Sequence, residues 1–152
     1  MARYSITGSD TNTNGNTLIY LAVGATTRRF GFYHIIIGSR AAPADNAVGY
    51  DIQRFTAENG TPGGTAVTPQ ALDPADPAAL ANAVSGPTGA PTYTANAIVL
   101  HVPKNMRQNV QWVAADQKGM LLAPATNDSG LGVRAVSPST AYAEQACVHF
   151  DE

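Results

Sequence analysis

The chain has 152 residues, 44% of them hydrophobic and only 13% charged, with a net charge of −2, enough to bury the core of one ordinary domain. Disorder, which goes with high net charge and few aliphatic residues, is excluded. So are nucleic-acid binding, for want of any basic block beyond Arg28-Arg29, and membrane spanning, for want of an apolar run near ~20 residues.

The surface must then be covered largely by Thr, Ser, Asn, Gln, Gly and Ala, a covering suited to touching another protein. The opening Met1–Ile6 lacks the apolar centre of a secretory signal, so synthesis in a cytoplasm is expected. A single cysteine, Cys147, allows no internal disulfide and reads as a small core residue.

Fourteen glycines and ten prolines cut the chain into short pieces, the punctuation of a sandwich or barrel. Arg3–Thr7 reads either as the first strand of the domain or as an extended arm, and Gly8–Asn16 as a polar loop. Residues 1–16 thus form an N-terminal strand or arm with its loop, and residues 17–152 a β-sandwich domain. Thr17–Val23 is a strand. Arg29–Ile37 is the strongest strand signal, with Phe30, Phe32, His34 and Ile36 in one phase. Its other phase, Gly31, Tyr33, Ile35 and Ile37, turns apolar towards the end, which predicts burial on both faces there.

Tyr50–Thr56 is the next strand. Asn59-Gly60 and Pro62-Gly63-Gly64 predict a turn, and Ala66–Leu72 a short strand broken by Pro69, suited to an edge. Asp76 as N-cap with Pro77 at the first helical position predicts one short helix over 76–83. Ile98–Val102, Asn109–Ala114, Gly119–Ala123 and Gly130–Ala135 are further strands, with a turn at Asn127–Gly130. Tyr142–Phe150 closes the chain, Tyr142, Glu144, Ala146, Val148 and Phe150 sharing one face. The fold class is therefore all-β: an antiparallel, jelly-roll-like β-sandwich with one short helix. Phe30, Phe32, Ile36, Leu100, Trp112, Val148 and Phe150 are expected in the core or a subunit interface.

No catalytic, cofactor or metal site is expected. His34, His101 and His149 each stand alone in a strand, with no His-x-His pair; the open alternative is a meeting of His101 and His149 across strands. No serine sits in a Gly-x-Ser-x-Gly elbow. Cys147 and His149 are neighbours without an orienting third group. Asp73 and Asp76 precede prolines, where turn and cap duties account for them. The glycine-rich Gly60–Thr65 has no lysine and no following helix, unlike a phosphate loop. The composition is that of a binding or structural protein, not of an enzyme.

A set of stretches carries a family resemblance. They are Thr17–Leu21 leading to Thr26–Phe30, Ile36–Ser39 with Ala42–Asn46, Tyr50–Arg54, Gly64–Pro69, Leu72–Ala79 and Cys147–Glu152. Together they resemble small virion structural proteins of tailed bacteriophages, especially capsid decoration (cement) proteins of marine and cyanobacterial phages. The resemblance implies a homotrimer on the outer face of the capsid, bridging neighbouring major capsid proteins, with no cofactor. Candidate interface residues are Arg3, Tyr4 and Ile6, for an arm that pairs with a partner, together with Arg28 and Arg29. The alternative is a carbohydrate- or receptor-binding jelly-roll module of a phage tail, using Tyr93, Trp112 and Asn127-Asp128.

Overall fold

The structure, a computed structural model, describes residues 1–12, 15–24, 28–58, 63–136 and 140–152. Twelve strands lie among them: β1 (Arg3–Asn12), β2 (Thr17–Ala22), β3 (Gly31–Ser39), β4 (Ala47–Ala57), β5 (Thr65–Val67), β6 (Gln70–Ala71), β7 (Asn82–Ser85), β8 (Thr92–Asn105), β9 (Val110–Val113), β10 (Leu121–Leu122), β11 (Gly130–Val136) and β12 (Tyr142–Asp151). One sheet runs β10-β3-β12-β1-β6, with β9 also on the outer edge of β3. The other runs β5-β7-β2-β11-β4-β8.

The antiparallel pairs β1–β12, β2–β11, β3–β9 and β4–β8 nest one inside another. A long hairpin rolled over onto itself produces this nesting, and the result is the eight-stranded jelly roll. The excursion between β4 and β8 adds β6 to the edge of β1 and β5–β7 to the edge of β2, so it covers one side of both sheets. The other long edge, β8, carries Pro103, a left-handed Asn96 (φ 59°) and three register shifts against β4. These irregularities blunt it against strand addition.

The core is the space between the sheets, filled by Ile6, Leu18, Leu21, Phe30, Phe32, Ile35, Ile37, Tyr50, Ile52, Val133, Val148 and Phe150, among others. A smaller cluster of Tyr20, Ala22 and Phe55 lies apart from it, covered by Val84 and Tyr93. The expected alternation in β12 holds: Tyr142, Glu144, Ala146, Val148 and Phe150 are all buried. Cys147 therefore falls on the opposite face, half-buried rather than in the core, with its thiol 3.6 Å from the Ser5 hydroxyl.

In β3 the expected phase breaks. Phe150 pairs with Phe32, but His149 pairs with His34, so Tyr33 is an extra residue. A β-bulge of this kind reverses which side chains face inward. Ile35 and Ile37 consequently join Phe30 and Phe32 in the core, while Ile36, expected in the core or a subunit interface, is 36% exposed. The apolar turn of both phases is thus a change of face, not burial on two faces. Leu100 and Trp112 are half-buried against the core.

No α-helix forms over 76–83. Asp73 caps a turn by accepting from the Ala75 amide at 2.9 Å, and the Leu80 amide donates to the Glu152 carboxylate at 2.8 Å. The Pro77 carbonyl accepts from the Tyr4 hydroxyl at 2.9 Å. Two helical turns are marginal by themselves, and these long-range bonds take up the groups a helix would use. Among the described residues the one helical turn is 3-10, Gln117–Gly119, capped by Asp116. The polar loop expected from Gly8 starts later, because β1 pairs with β12 as far as Asn12. Of the expected turn at 59–64, Asn59, Gly60 and Pro62 lie outside the described residues. Gly63 and Gly64 both have left-handed φ, the conformation that favours glycine there.

Of the two readings of the N-terminus, β1 is the strand of its own sandwich. It lies between β12 and β6, and Tyr4 and Ile6 are each only 2% exposed. Ile6→Ala is expected to cost about 2–5 kcal/mol, read as a shift in the denaturant midpoint. Deletion of residues 2–7 should abolish the cooperative transition altogether, and a deletion variant that folds normally would overturn this assignment.

Candidate functional site

The outward side of the first sheet is a surface built by regular structure, and its residues follow from the strand phases above. β1 presents Ser5, Thr7 and Ser9. β12 presents Gln145, Cys147 and His149, β3 presents His34, Ile36 and Gly38, and β9 presents Gln111 and Val113. None of these side chains carries a fixed charge. Arginines stand only at the ends: Arg40 donates to the Ser9 hydroxyl at 2.8 Å, and Arg3 lies 5.7 Å from the centre of the Tyr33 ring. Arg3 also lines a cleft of about 240 Å³ with Tyr33, Asp116, Met120 and Asp151. Burial raises the Asp151 carboxyl, against the opposing pull of Arg3.

The predicted interface residues are separated by this arrangement. Tyr4 and Ile6 face the core and are unavailable to a partner, because the alternation that exposes Arg3 and Ser5 turns them inward; Tyr4 stacks on Phe150 at 5.3 Å. Arg3, Arg28 and Arg29 are exposed, and the Arg29 guanidinium donates to the Ala123 carbonyl at 3.1 Å. The residues suggested for a sugar site are dispersed. Tyr93 closes the small cluster on the second sheet, its hydroxyl 2.8 Å from that of Thr17. Trp112 packs from the first sheet against the main core, and Asn127-Asp128 forms a separate turn.

Two histidine sites emerge that spacing alone did not reveal. His34 and His149 are cross-strand partners, with Nδ1 atoms 3.2 Å apart and rings nearly perpendicular. The side-chain amide of Gln111 lies 2.8 Å from His34 Nε2. Burial, and then the neighbouring His34, hold the His149 imidazole below its ordinary pKa, so it is neutral at neutral pH. The sequence signal was present: Phe30/Phe32 and Ile35/Ile37 both ask for the inside, which requires a bulge that ejects His34.

On the second sheet His101 Nδ1 lies 2.6 Å from the Asp51 carboxylate. The shallow depression beside it is lined by Ala47, Val48, Gly49, Pro103 and Val136. Among these described residues there is no hydroxyl or thiol for the imidazole to activate. Among the described residues no group of three or more His, Cys, Asp or Glu side chains is placed to hold a metal ion.

The interior holds a charged network. Glu144 falls on the buried phase of β12 and meets Lys104 from β8 in an ion pair, both side chains almost fully buried. Tyr142 donates to the same carboxylate, and its hydroxyl is 2.5 Å from that of Tyr50. Lys104 also donates to the Gln108 carbonyl at 3.0 Å. Burial lowers the lysine to about 8, while the adjacent carboxylate favours its charge. At neutral pH the pair is ionic, and it acts as structure.

Comparison with family models, with curated proteins and with solved structures returned no match.

Lys104→Met leaves the Glu144 carboxylate buried without its cation and should cost about 3–5 kcal/mol. Lys104→Met with Glu144→Leu should recover most of that loss, since an apolar pair carries no desolvation cost. Denaturant titration of the three proteins checks both statements. Equal stability of wild type and Lys104→Met would contradict the pairing.

Proposed function

We propose that this chain is a structural virion protein that binds the outer surface of a bacteriophage capsid and cements neighbouring major capsid proteins. The observation that carries this reading is the outward side of the first sheet, where Ser5, Thr7, Gln145, Cys147 and Ile36 form a surface without fixed charge between Arg3 and Arg40. Depletion of charge at the centre of a patch is one compositional feature of protein–protein contact surfaces, in which arginine is enriched. The family resemblance supports the same reading. So does the jelly roll, a frequent fold of viral capsid domains, although fold alone does not decide function.

A clamp of this kind works by mass action. It binds the assembled lattice and not the free capsid subunit, so it lowers the free energy of the assembled state. The homotrimer is part of the proposal and rests on the resemblance, as do synthesis in the host cytoplasm and a final place on the capsid exterior.

The test is co-sedimentation of the pure protein with heads, lacking it, of the phage that encodes it. Wild type should bind and saturate at a fixed ratio to the capsid protein. Ile36→Asp, which puts a charge in the middle of the neutral surface, should bind at least tenfold more weakly with an unchanged melting temperature. Light scattering should give a mass of three chains. Absence of wild-type binding, or equal binding by Ile36→Asp, would refute this assignment of the surface.

A further inference from the structure

We propose that His34 and His149 form a chelating site for one borderline divalent transition-metal ion, of the Zn²⁺, Ni²⁺ or Cu²⁺ class. The proposal is independent of the capsid reading. Imidazole nitrogen suits these ions, whereas Mg²⁺ and Ca²⁺ take oxygen ligands. Zinc–nitrogen bonds of about 2.0–2.1 Å in a tetrahedral shell place two ligand atoms about 3.3–3.4 Å apart. The two Nδ1 atoms are 3.2 Å apart, already near that spacing, so forming the chelate requires the rings to turn both nitrogens towards one point rather than to change their separation.

The backbone sets this spacing. His34 and His149 are directly opposite one another across β3 and β12, and the bulge at Tyr33 turns His34 to the same face as His149. In the metal-free protein one Nδ1–H donates to the other Nδ1, and this hydrogen bond holds both rings in place. Metal binding requires both Nδ1 atoms to be unprotonated, so the shared proton leaves Nδ1 and the rings take the Nε2–H tautomer. As the structure stands, the Gln111 amide nitrogen faces His34 Nε2 and donates to it, so ligation requires that amide to turn over. The Gln111 amide lies 2.8 Å away, and with its oxygen turned towards the ring it accepts the bond from Nε2–H. A ligating histidine held through its second nitrogen is the usual support of a metal site. Both imidazoles are partly exposed, which leaves an approach for the ion and room for water in the remaining positions.

The test is isothermal titration of the full chain with ZnCl₂ and NiCl₂, alongside ring-proton NMR of the histidines. Wild type should take up one ion per chain, with the ring signals of His34 and His149 moving together. His34→Gln and His149→Gln should each weaken binding at least tenfold. Gln111→Ala should weaken it roughly tenfold, the lower end of the effect of losing such a support. His101→Gln should leave it unchanged. Absence of uptake at millimolar metal, or uptake that survives both histidine substitutions, would overturn the site. Should a variant fail to fold, the NMR of the native protein decides, since metal that shifts only His101 also overturns the proposal.

Discussion

The ladder between β1 and β12 joins the two ends of the chain over ten consecutive residue pairs, from Arg3 with Asp151 to Asn12 with Tyr142. Every other pairing lies inside it. Because the strand pairs nest, the outermost pair encloses the longest stretch of chain, and its closure carries the largest loop entropy. Its interior side chains must offset that cost, and they are large: Tyr4 on Phe150, with Phe30 packed edge-on at 5.8 Å. The same chain ends organise the excursion, since Glu152 holds the Leu80 amide and Tyr4 holds the Pro77 carbonyl. A segment with good helical capping chemistry is thereby drawn into an irregular path along the sandwich edge.

Register in such a sandwich is set by what is buried, because a slip of one residue turns each strand inside out. The Lys104–Glu144 pair tightens that constraint. A buried carboxylate tolerates one placement, beside its cation and the Tyr142 hydroxyl, and any shift between β12 and β8 strands a charge in the core. Such a pair adds little net stability compared with an apolar substitute, so its physical effect is to penalise alternatives.

The bulge at Tyr33 links the core to the surface. By inserting one residue it carries Ile35 and Ile37 inward and sets Ile36 and His34 outward. The neutral surface proposed for capsid contact and the histidine pair proposed for metal binding therefore share one backbone irregularity. Both lie on the side of the sheet opposite the core, where side chains are free of packing duties and chemistry costs little stability.

Composition and alternation alone determined the all-β class, the sandwich and the inward face of β12, since these depend on local residue type and period. The pairing of His34 with His149, the inward fate of Tyr4 and Ile6, the cation for Glu144 and the loss of the helix at 76–83 depended on contacts between residues far apart in the chain. Short-range pattern carries no record of which strand lies beside which. A bulge breaks the period that pattern reading relies on, and a two-turn helix is too weakly favoured to resist hydrogen bonds supplied from the opposite end of the chain.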